Sequence, residues 1–261
     1  MPDEHGFAEF AGLYERMVDW DRRLARELPF YRTLFDRHHV SRVLEVSCGP
    51  GRHAAAFAEW GLDVTGVDPD EGMLALARKH ADLSGVSVEF IQADFLGFGN
   101  KVGGTFDALV CVGNSLPALQ GSAQRVPVLQ TFARLVNPNG ILVLHVLNFD
   151  RVLETVDADT PPQVRTSPDG QVRFVKSFHR VGSHLELYIE FKQADGPGGR
   201  FVHDLYPVGE RQLILEIESA GLTVGDILGD YEFAPFDLHT SDDLIVLARA
   251  AGRTVSMPTP E

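Results

Sequence analysis

Two carboxylates, Glu45 and Asp68, stand at the ends of short apolar runs, with a small-residue loop carrying two glycines between them. The run Val43-Leu44-Glu45-Val46 breaks into Ser47-Cys48-Gly49-Pro50-Gly51, and a helical stretch from Arg52 to Trp60 follows. Gly61 closes that helix, and a second apolar run, Val64 to Val67, ends on Asp68. Physically this is strand, tight turn, helix, strand. Glycine at 49 and 51 lets backbone approach a ligand, because a Cβ would intrude there. The unit sets a helix N-terminus and two acids at one edge of a parallel sheet, where a nucleoside-like ligand binds. The competing reading is that the glycines merely make a tight βα turn, since G-x-G in isolation is a weak signal.

Two ligand classes compete for this unit. Gly49, Gly51 and Ala54 satisfy G-x-G-x-x-A, the nicotinamide dinucleotide fingerprint, and Asp68 lies where that fold puts its ribose acid. A nicotinamide site has no need of an acid at the end of the first strand. Glu45 is there, and a cationic ligand would use it.

The segment Glu45-Val46-Ser47-Cys48-Gly49-Pro50-Gly51 resembles the first motif of class I S-adenosylmethionine-dependent methyltransferases, an acid followed by a glycine-rich loop. The resemblance implies a Rossmann-like, seven-stranded, mostly parallel α/β sheet whose last strand is antiparallel. It also implies S-adenosyl-L-methionine as cofactor and S-adenosyl-L-homocysteine as product. In that family the loop packs against the methionine part of the cofactor. Asp68, in Gly66-Val67-Asp68-Pro69, looks like the acid that accepts from both ribose hydroxyls, and two carboxylate oxygens suit a vicinal diol. Gln92-Ala93-Asp94-Phe95 resembles the adenine-binding motif, with Asp94 accepting from the exocyclic amine and Phe95 or Met73 covering the ring. The family has Asp where this chain has Glu45 and Gly where it has Ser47; Ser47 constrains the loop if that position needs positive φ.

The fourth strand, Phe106 to Val112, runs into Gly113-Asn114-Ser115, which is similar to the Gly-Asn-Ser segment of glycine and sarcosine N-methyltransferases. It lacks the Pro-Pro-aromatic pattern of enzymes that methylate bases. Asn148-Phe149-Asp150 looks like that group's Asn-Tyr-Asp, Leu205-Tyr206-Pro207 its Tyr-Tyr-Pro, and Leu228-Gly229-Asp230-Tyr231 its Leu-Gly-Asp-Phe. Arg23 falls near an arginine that grips the cofactor's carboxylate. The resemblance thus nominates Arg23, Glu45, Ser47, Cys48, Gly49, Gly51, Asp68, Pro69, Met73, Asp94, Phe95, Cys111 and Gly113 for the cofactor, and Asn114 and Tyr206 for catalysis. It implies N-methylation of a small-molecule amine. An O-methyltransferase, a nicotinamide dehydrogenase and a non-catalytic cofactor-binding protein are the competing readings.

One departure bears on substrate. An arginine precedes the Asn-Tyr-Asp in the glycine enzymes and binds the substrate carboxylate; here that place holds Leu147. Glycine would lose its main anchor unless Arg151, Arg173 or Arg180 reaches in. His145 and His203 are weaker general-base candidates than Tyr206, since a lone strand histidine is more often packed or exposed. No Cys/His/Asp cluster has metal-ligand spacing along the chain.

The elements that must position these residues follow from hydrophobic period. Residues 7 to 38 read as helical, with a new helix starting after Pro29. Strands are expected at 42–47, 63–67, 86–91, 106–112 and 140–147, and helices at 52–60, 71–83 and 123–136. Three period-2 runs follow, at 172–180, 184–193 and 200–206, then a helix at 210–220 and strands at 222–229 and 243–249. The organisation expected is a helical cap (1–40), a cofactor-binding core (41–150 and 209–250), an antiparallel β insertion serving as substrate lid (151–208) and a loose tail (251–261). The net charge of −14, from 37 acidic and 23 basic residues, argues against nucleic-acid or anionic-membrane partners. Two cysteines, no secretion signal and no long apolar run point to a soluble cytoplasmic protein, and homo-oligomerisation stays open.

Overall fold

The computed structural model describes residues 7–156 and 161–250. Helices α1 (Phe7–Met17) and α2 (Trp20–His38) open the chain. Asp19 caps α2, its side chain accepting from the Arg22 amide at 3.2 Å, so the helix break falls at Val18-Asp19 and not at the expected Pro29. Pro29 lies inside α2. It leaves the Ala25 carbonyl without a helical donor, but both residues are exposed, so water can satisfy that oxygen. Burial of Trp20 on one side and of Phe30, Tyr31, Leu34 and Phe35 on the other carries the helix through the proline.

The core then alternates as β1 (Arg42–Val46), α3 (Arg52–Glu59), β2 (Asp63–Asp68), α4 (Glu71–Ser84), β3 (Glu89–Gln92), β4 (Phe106–Cys111), α5 (Ser122–Leu135), β5 (Val136–Leu147) and α6 (Phe149–Val156). After the inserted strands β6 (Gln163–Thr166), β7 (Val172–Val181), β8 (His184–Gln193) and β9 (Gly198–Leu205), α7 (Glu210–Ser219), β10 (Leu222–Leu228) and β11 (Asp243–Ala250) close the chain. The main sheet runs β10-β11-β5-β4-β1-β2-β3. Its central pairings are parallel, and β11 is antiparallel to both β5 and β10. Strand order reverses between β1 and β4, so the chain leaves these adjacent strands in opposite directions and opens a crevice at their carboxyl ends. Both faces of the sheet are covered by buried apolar clusters, which is why β1, β4 and β5 read as continuous apolar runs.

Strand β6 and helix α6 were not expected from the sequence. β6 is short and exposed along its length, so it carries no apolar period. The four-stranded second sheet, β6-β7-β8-β9, is antiparallel throughout. Its register places Phe174, Lys176, Leu187, Ile189, Phe201, His203 and Leu205 on one face. Helix α1 packs on that face through Leu13, which clusters with Val172, Phe174, Ile189 and Phe191, and through Phe10, whose ring lies 4.7 Å from Phe201. The residues expected as a loose tail, 251–261, lie outside the described residues, as do 157–160 of the insertion. Among the described residues no helix is long and apolar enough to cross a membrane.

Helices α5 and α7 are locked by a buried pair. Arg125 donates to Glu216 through Nε (2.7 Å) and Nη2 (2.9 Å), and Ser122 and Gln212 also donate to that carboxylate. Breaking a buried pair strands a charge, whereas replacing both partners with apolar groups does not. Glu216→Ala should therefore cost about 3–5 kcal/mol in urea unfolding, and the double variant Arg125→Met/Glu216→Leu much less. Equal losses in the two proteins would show that packing, not charge pairing, sets the cost.

Candidate functional site

At the tip of β1 the backbone turns through Ser47, Gly49 and Gly51 with φ of 58°, 54° and 68°. Ser47 therefore does occupy the left-handed region, at a cost of roughly 1–2 kcal/mol that glycine would avoid. The two glycines serve different ends. A Cβ on Gly51 would lie 2.6 Å from Ala77 Cβ, so Gly51 allows α3 to approach α4. A Cβ on Gly49 would meet open space, and the Gly49 amide points instead to Asp68, donating to Oδ2 at 2.8 Å. The Asp70 amide donates to Oδ1 at 3.0 Å. Each oxygen of Asp68 keeps a further lone pair. Burial raises the Asp68 pKa to about 6, against the opposing pull of these two amides.

Behind the loop lies a buried polar chain. Glu27 of α2 accepts from Arg23 Nε (3.0 Å), Arg26 Nη2 (3.2 Å) and His53 Nε2 (2.9 Å). Burial alone would raise the Glu27 pKa, but the His53 hydrogen bond and the Arg23 charge outweigh it and hold it at about 2. His53 therefore spends its Nε2 proton on Glu27. Its Nδ1 faces Glu45 Oε1 at 3.7 Å. Glu45 is 2% exposed, and its Oε2 has no hydrogen-bond partner among the described residues. Burial lifts its pKa to about 8, with Arg23 and the Ala54 amide opposing the rise.

The β4 tip makes a second left-handed turn, with Gly113 at φ 77° and Asn114 at φ 68°. Asn114 Oδ1 accepts from the Leu147 amide (3.2 Å), and the Gly113 amide donates to His145 Nδ1 (3.2 Å). That bond assigns the His145 proton to Nε2, which reaches Asp243 Oδ1 at 2.9 Å. Both ring nitrogens are committed, so His145 holds this turn rather than standing free as a base. The Arg23 guanidinium lies beside Gly113 and over the Trp20 ring, and its Nη nitrogens donate to no described group.

These tips open on a cavity of about 970 Å³. Ser47, Gly49, Asp68 and Met73 line one end; Gly113, Asn114 and Leu147 line the β4 and β5 tips. Phe10, Tyr14 and Arg23 come from the helical cap, and Phe174, Lys176, Leu187, Ile189 and His203 form the opposite wall on the second sheet. The other nominated residues lie off this wall. Glu45, Cys48 and Cys111 are buried, and both cysteines are free thiols. Gly51 is spent on packing, Pro69 is exposed, and Phe95 packs against the core. Asp94 is exposed and caps a turn, accepting from the Leu96 and Gly97 amides at 3.1 and 2.7 Å.

Tyr206 sits beyond the end of β9 with its ring 5.4 Å from His184, which the register puts on the face opposite the cavity. His203 instead faces the cavity. Its Nε2 is buried without a partner among the described residues, and burial lowers its pKa, Asp204 opposing. The arginines raised as substitutes for Leu147 are not among the residues that line the cavity: Arg151 pairs with Asp242, Arg180 donates to the Leu153 carbonyl, and Arg173 is exposed on β7. Arg165 and Lys176, which the sequence did not single out, line the cavity. The period-2 pattern of the β7 run could have placed Lys176 with Phe174; Arg165 carried no such signal. His184, Glu186 and Asp204 also gather on the opposite face with ligand atoms within 4.8 Å of one another, a grouping hidden from linear spacing because Asp204 arrives on the neighbouring strand.

The arrangement fits the cofactor that the sequence resemblance implies. Asp68 offers two carboxylate oxygens at a cavity wall, Gly49 leaves open space beside them, and Glu45 keeps a buried oxygen without a donor. Comparison with known proteins agrees. Residues 43–140 match a family described as a methyltransferase domain. The chain is 30% identical over 239 residues to a glycine/sarcosine N-methyltransferase of Parasynechococcus marenigrum, covering 90% of this chain and 83% of that protein. It is also 30% identical over 247 residues to a glycine/sarcosine N-methyltransferase of Halorhodospira halochloris, covering 89% and 87%. A solved S-adenosylmethionine-dependent methyltransferase from Clostridium acetobutylicum shares the fold with a TM-score of 0.79 at 14% identity, covering 94% of this chain and 99% of that one.

The raised pKa of Glu45 makes a signed prediction. The folded chain holds this proton more tightly than the unfolded chain, so the stabilisation is complete below the ordinary value of 4.5 and is lost as pH rises through about 8. Glu45→Gln keeps the uncharged form at every pH. Its stability relative to the wild type should therefore climb between about pH 5 and pH 9 in urea titrations. A difference that stays constant over this range would place the Glu45 titration elsewhere.

Proposed function

The chain belongs to the class I S-adenosylmethionine-dependent methyltransferases, close to the glycine/sarcosine N-methyltransferase group, and from that premise we propose that it methylates the nitrogen of a small-molecule amine. Membership in this family sets aside the nicotinamide reading of Gly49, Gly51 and Ala54. The observation that carries the amine reading is the position of His203, a neutral imidazole with an unpartnered buried Nε2, on the wall across the cavity from Asp68 and Gly49. The names of the two relatives support it.

When bound, S-adenosylmethionine supplies a methyl group activated by a sulfonium. The residues of this chain then have separable tasks. Asp68 would accept from the ribose hydroxyls while the Gly49 and Asp70 amides hold its carboxylate in place. Arg23, fixed at Nε by Glu27, would present its free Nη nitrogens to the cofactor's carboxylate. Glu45, the buried acid behind the loop, would face the cationic part of the ligand with its unpartnered oxygen. Gly113 and Asn114, locked by His145 and the Leu147 amide, would keep the acceptor nitrogen in line with the methyl. An amine attacks only through a free lone pair, and His203 Nε2 would take its proton or hold it by a hydrogen bond. Helix α1 and the second sheet together would exclude water, the role expected of a lid.

His203→Ala should lower kcat by about 100-fold or more, within the range for a lost general base. Affinity for S-adenosylhomocysteine, read by calorimetry, should stay within about twofold. Transfer of a 13C-labelled methyl should give an N-methyl resonance in the product. An O-methyl resonance would overturn the amine reading, and wild-type kcat in the variant would remove His203 from the chemistry.

A further inference from the structure

The cavity wall supplied by the second sheet carries two positive charges that nothing among the described residues neutralises. Lys176 on β7 and Arg165 on β6 belong to adjacent paired strands, where Gln163 faces Lys176 and Arg165 faces Phe174. Both line the cavity. Neither makes an ion pair or a hydrogen bond among the described residues; the one contact shown is the Lys176 ammonium over the Phe178 ring, at 5.3 Å. The acids that line the cavity are engaged elsewhere. Glu27 holds Arg23, Arg26 and His53; Asp68 holds two amides; Asp19 and Asp70 cap helices; Asp204 lies 3.7 Å from His184.

Two like charges side by side in a wall of Phe174, Leu187 and Ile189 are unfavourable by themselves, and burial together with Arg165 disfavours the charged form of Lys176. An anion between them would reverse that balance, since a guanidinium fork and an ammonium both donate strongly to carboxylate or phosphate oxygens. The β5 tip, meanwhile, offers Leu147 and a His145 whose two ring nitrogens are already committed to the Gly113 amide and Asp243. We propose that Lys176 and Arg165 bind an anionic group of the acceptor, a carboxylate or a phosphate, so that the amine acceptor is anchored from the second sheet and not from the β5 tip. The apolar side chains around Lys176 suit an acceptor with a hydrocarbon stretch between amine and anion, longer than that of glycine. This rests on the amine methyltransferase reading above.

The test uses matched amine pairs with and without the anion: 4-aminobutyrate against butylamine, and phosphoethanolamine against ethanolamine. The wild type should turn over an anionic member with a kcat/KM at least about tenfold above its neutral match. Which pair shows the preference distinguishes carboxylate from phosphate. Lys176→Met and Arg165→Gln should each erase most of that preference while leaving S-adenosylhomocysteine affinity and the neutral amines unchanged. Equal use of both members by the wild type, or equal loss on both in the variants, overturns the proposal and leaves the amine reading standing. A fall in cofactor affinity in the variants also overturns it, because the cations would then grip the cofactor's own carboxylate. Calorimetric titration of 4-aminobutyrate and phosphoethanolamine into the wild type saturated with S-adenosylhomocysteine decides the point without turnover. Binding of either that is lost in Lys176→Met supports the anion site even if no amine is methylated, and binding of neither overturns it.

Discussion

The site depends on one buried carboxylate. Glu27, 1% exposed, draws together Arg23 and Arg26 of its own helix and His53 of α3, and so fastens the helical cap to the sheet. The connection continues outward. Arg26 also approaches Asp243 of β11 at 3.8 Å, Asp243 accepts from His145 of β5, and His145 receives the Gly113 amide at the β4 tip. A carboxylate this deeply placed is tolerable only with several donors. The arrangement that satisfies it also aims Arg23 into the cavity, occupies His53 and fixes the strained turn at Gly113 and Asn114.

The second constraint lies in the backbone. The tips of β1 and β4 flank the point where strand order reverses, and both leave the sheet through left-handed residues, Ser47, Gly49 and Gly51 on one side and Gly113 and Asn114 on the other. Two of these five are not glycine. Asn tolerates this region by bonding locally, and Asn114 bonds the Leu147 amide. Among the described residues Ser47 makes no such bond, and it carries the conformational cost outright, in the loop that bounds the cavity. Strain of this kind persists where surrounding structure over-determines it. Here the parallel pairing of β1 with β2 and β4 does so from both sides.

How much was legible in the sequence varies with the physics of each element. The alternation of strands and helices from Arg42 to Leu147 was readable because strands buried on both faces must be apolar throughout. Pro29 misled, because a proline on an exposed helix face loses less than its flanking aromatics gain by burial. Strand β6 was invisible because all four of its residues are exposed. Asp68 and Gly49 were found by type and spacing, and they meet at 2.8 Å. Asp94 had the right type, yet its carboxylate is turned to the amides of its own loop.

Tyr206 and His203 show where motif reading and physics part. The likeness of Leu205-Tyr206-Pro207 to a family segment identifies a residue but not the face it occupies. The face follows from period-2 parity: Phe201, His203 and Leu205 alternate inward with β8 as partner, and Tyr206 falls out of phase beside His184. Parity also explains the division of labour between the two sheets. The strand-tip end of the cavity is built from backbone turns and acids, whose demands are written as short contiguous motifs. The second-sheet wall is built from side chains spread over the face of an antiparallel sheet, whose composition is constrained only by alternation and by what must fit between them. The strand-tip end can therefore be read from a few adjacent letters, whereas Lys176, Arg165 and His203, far apart in sequence, are brought to one wall by register alone.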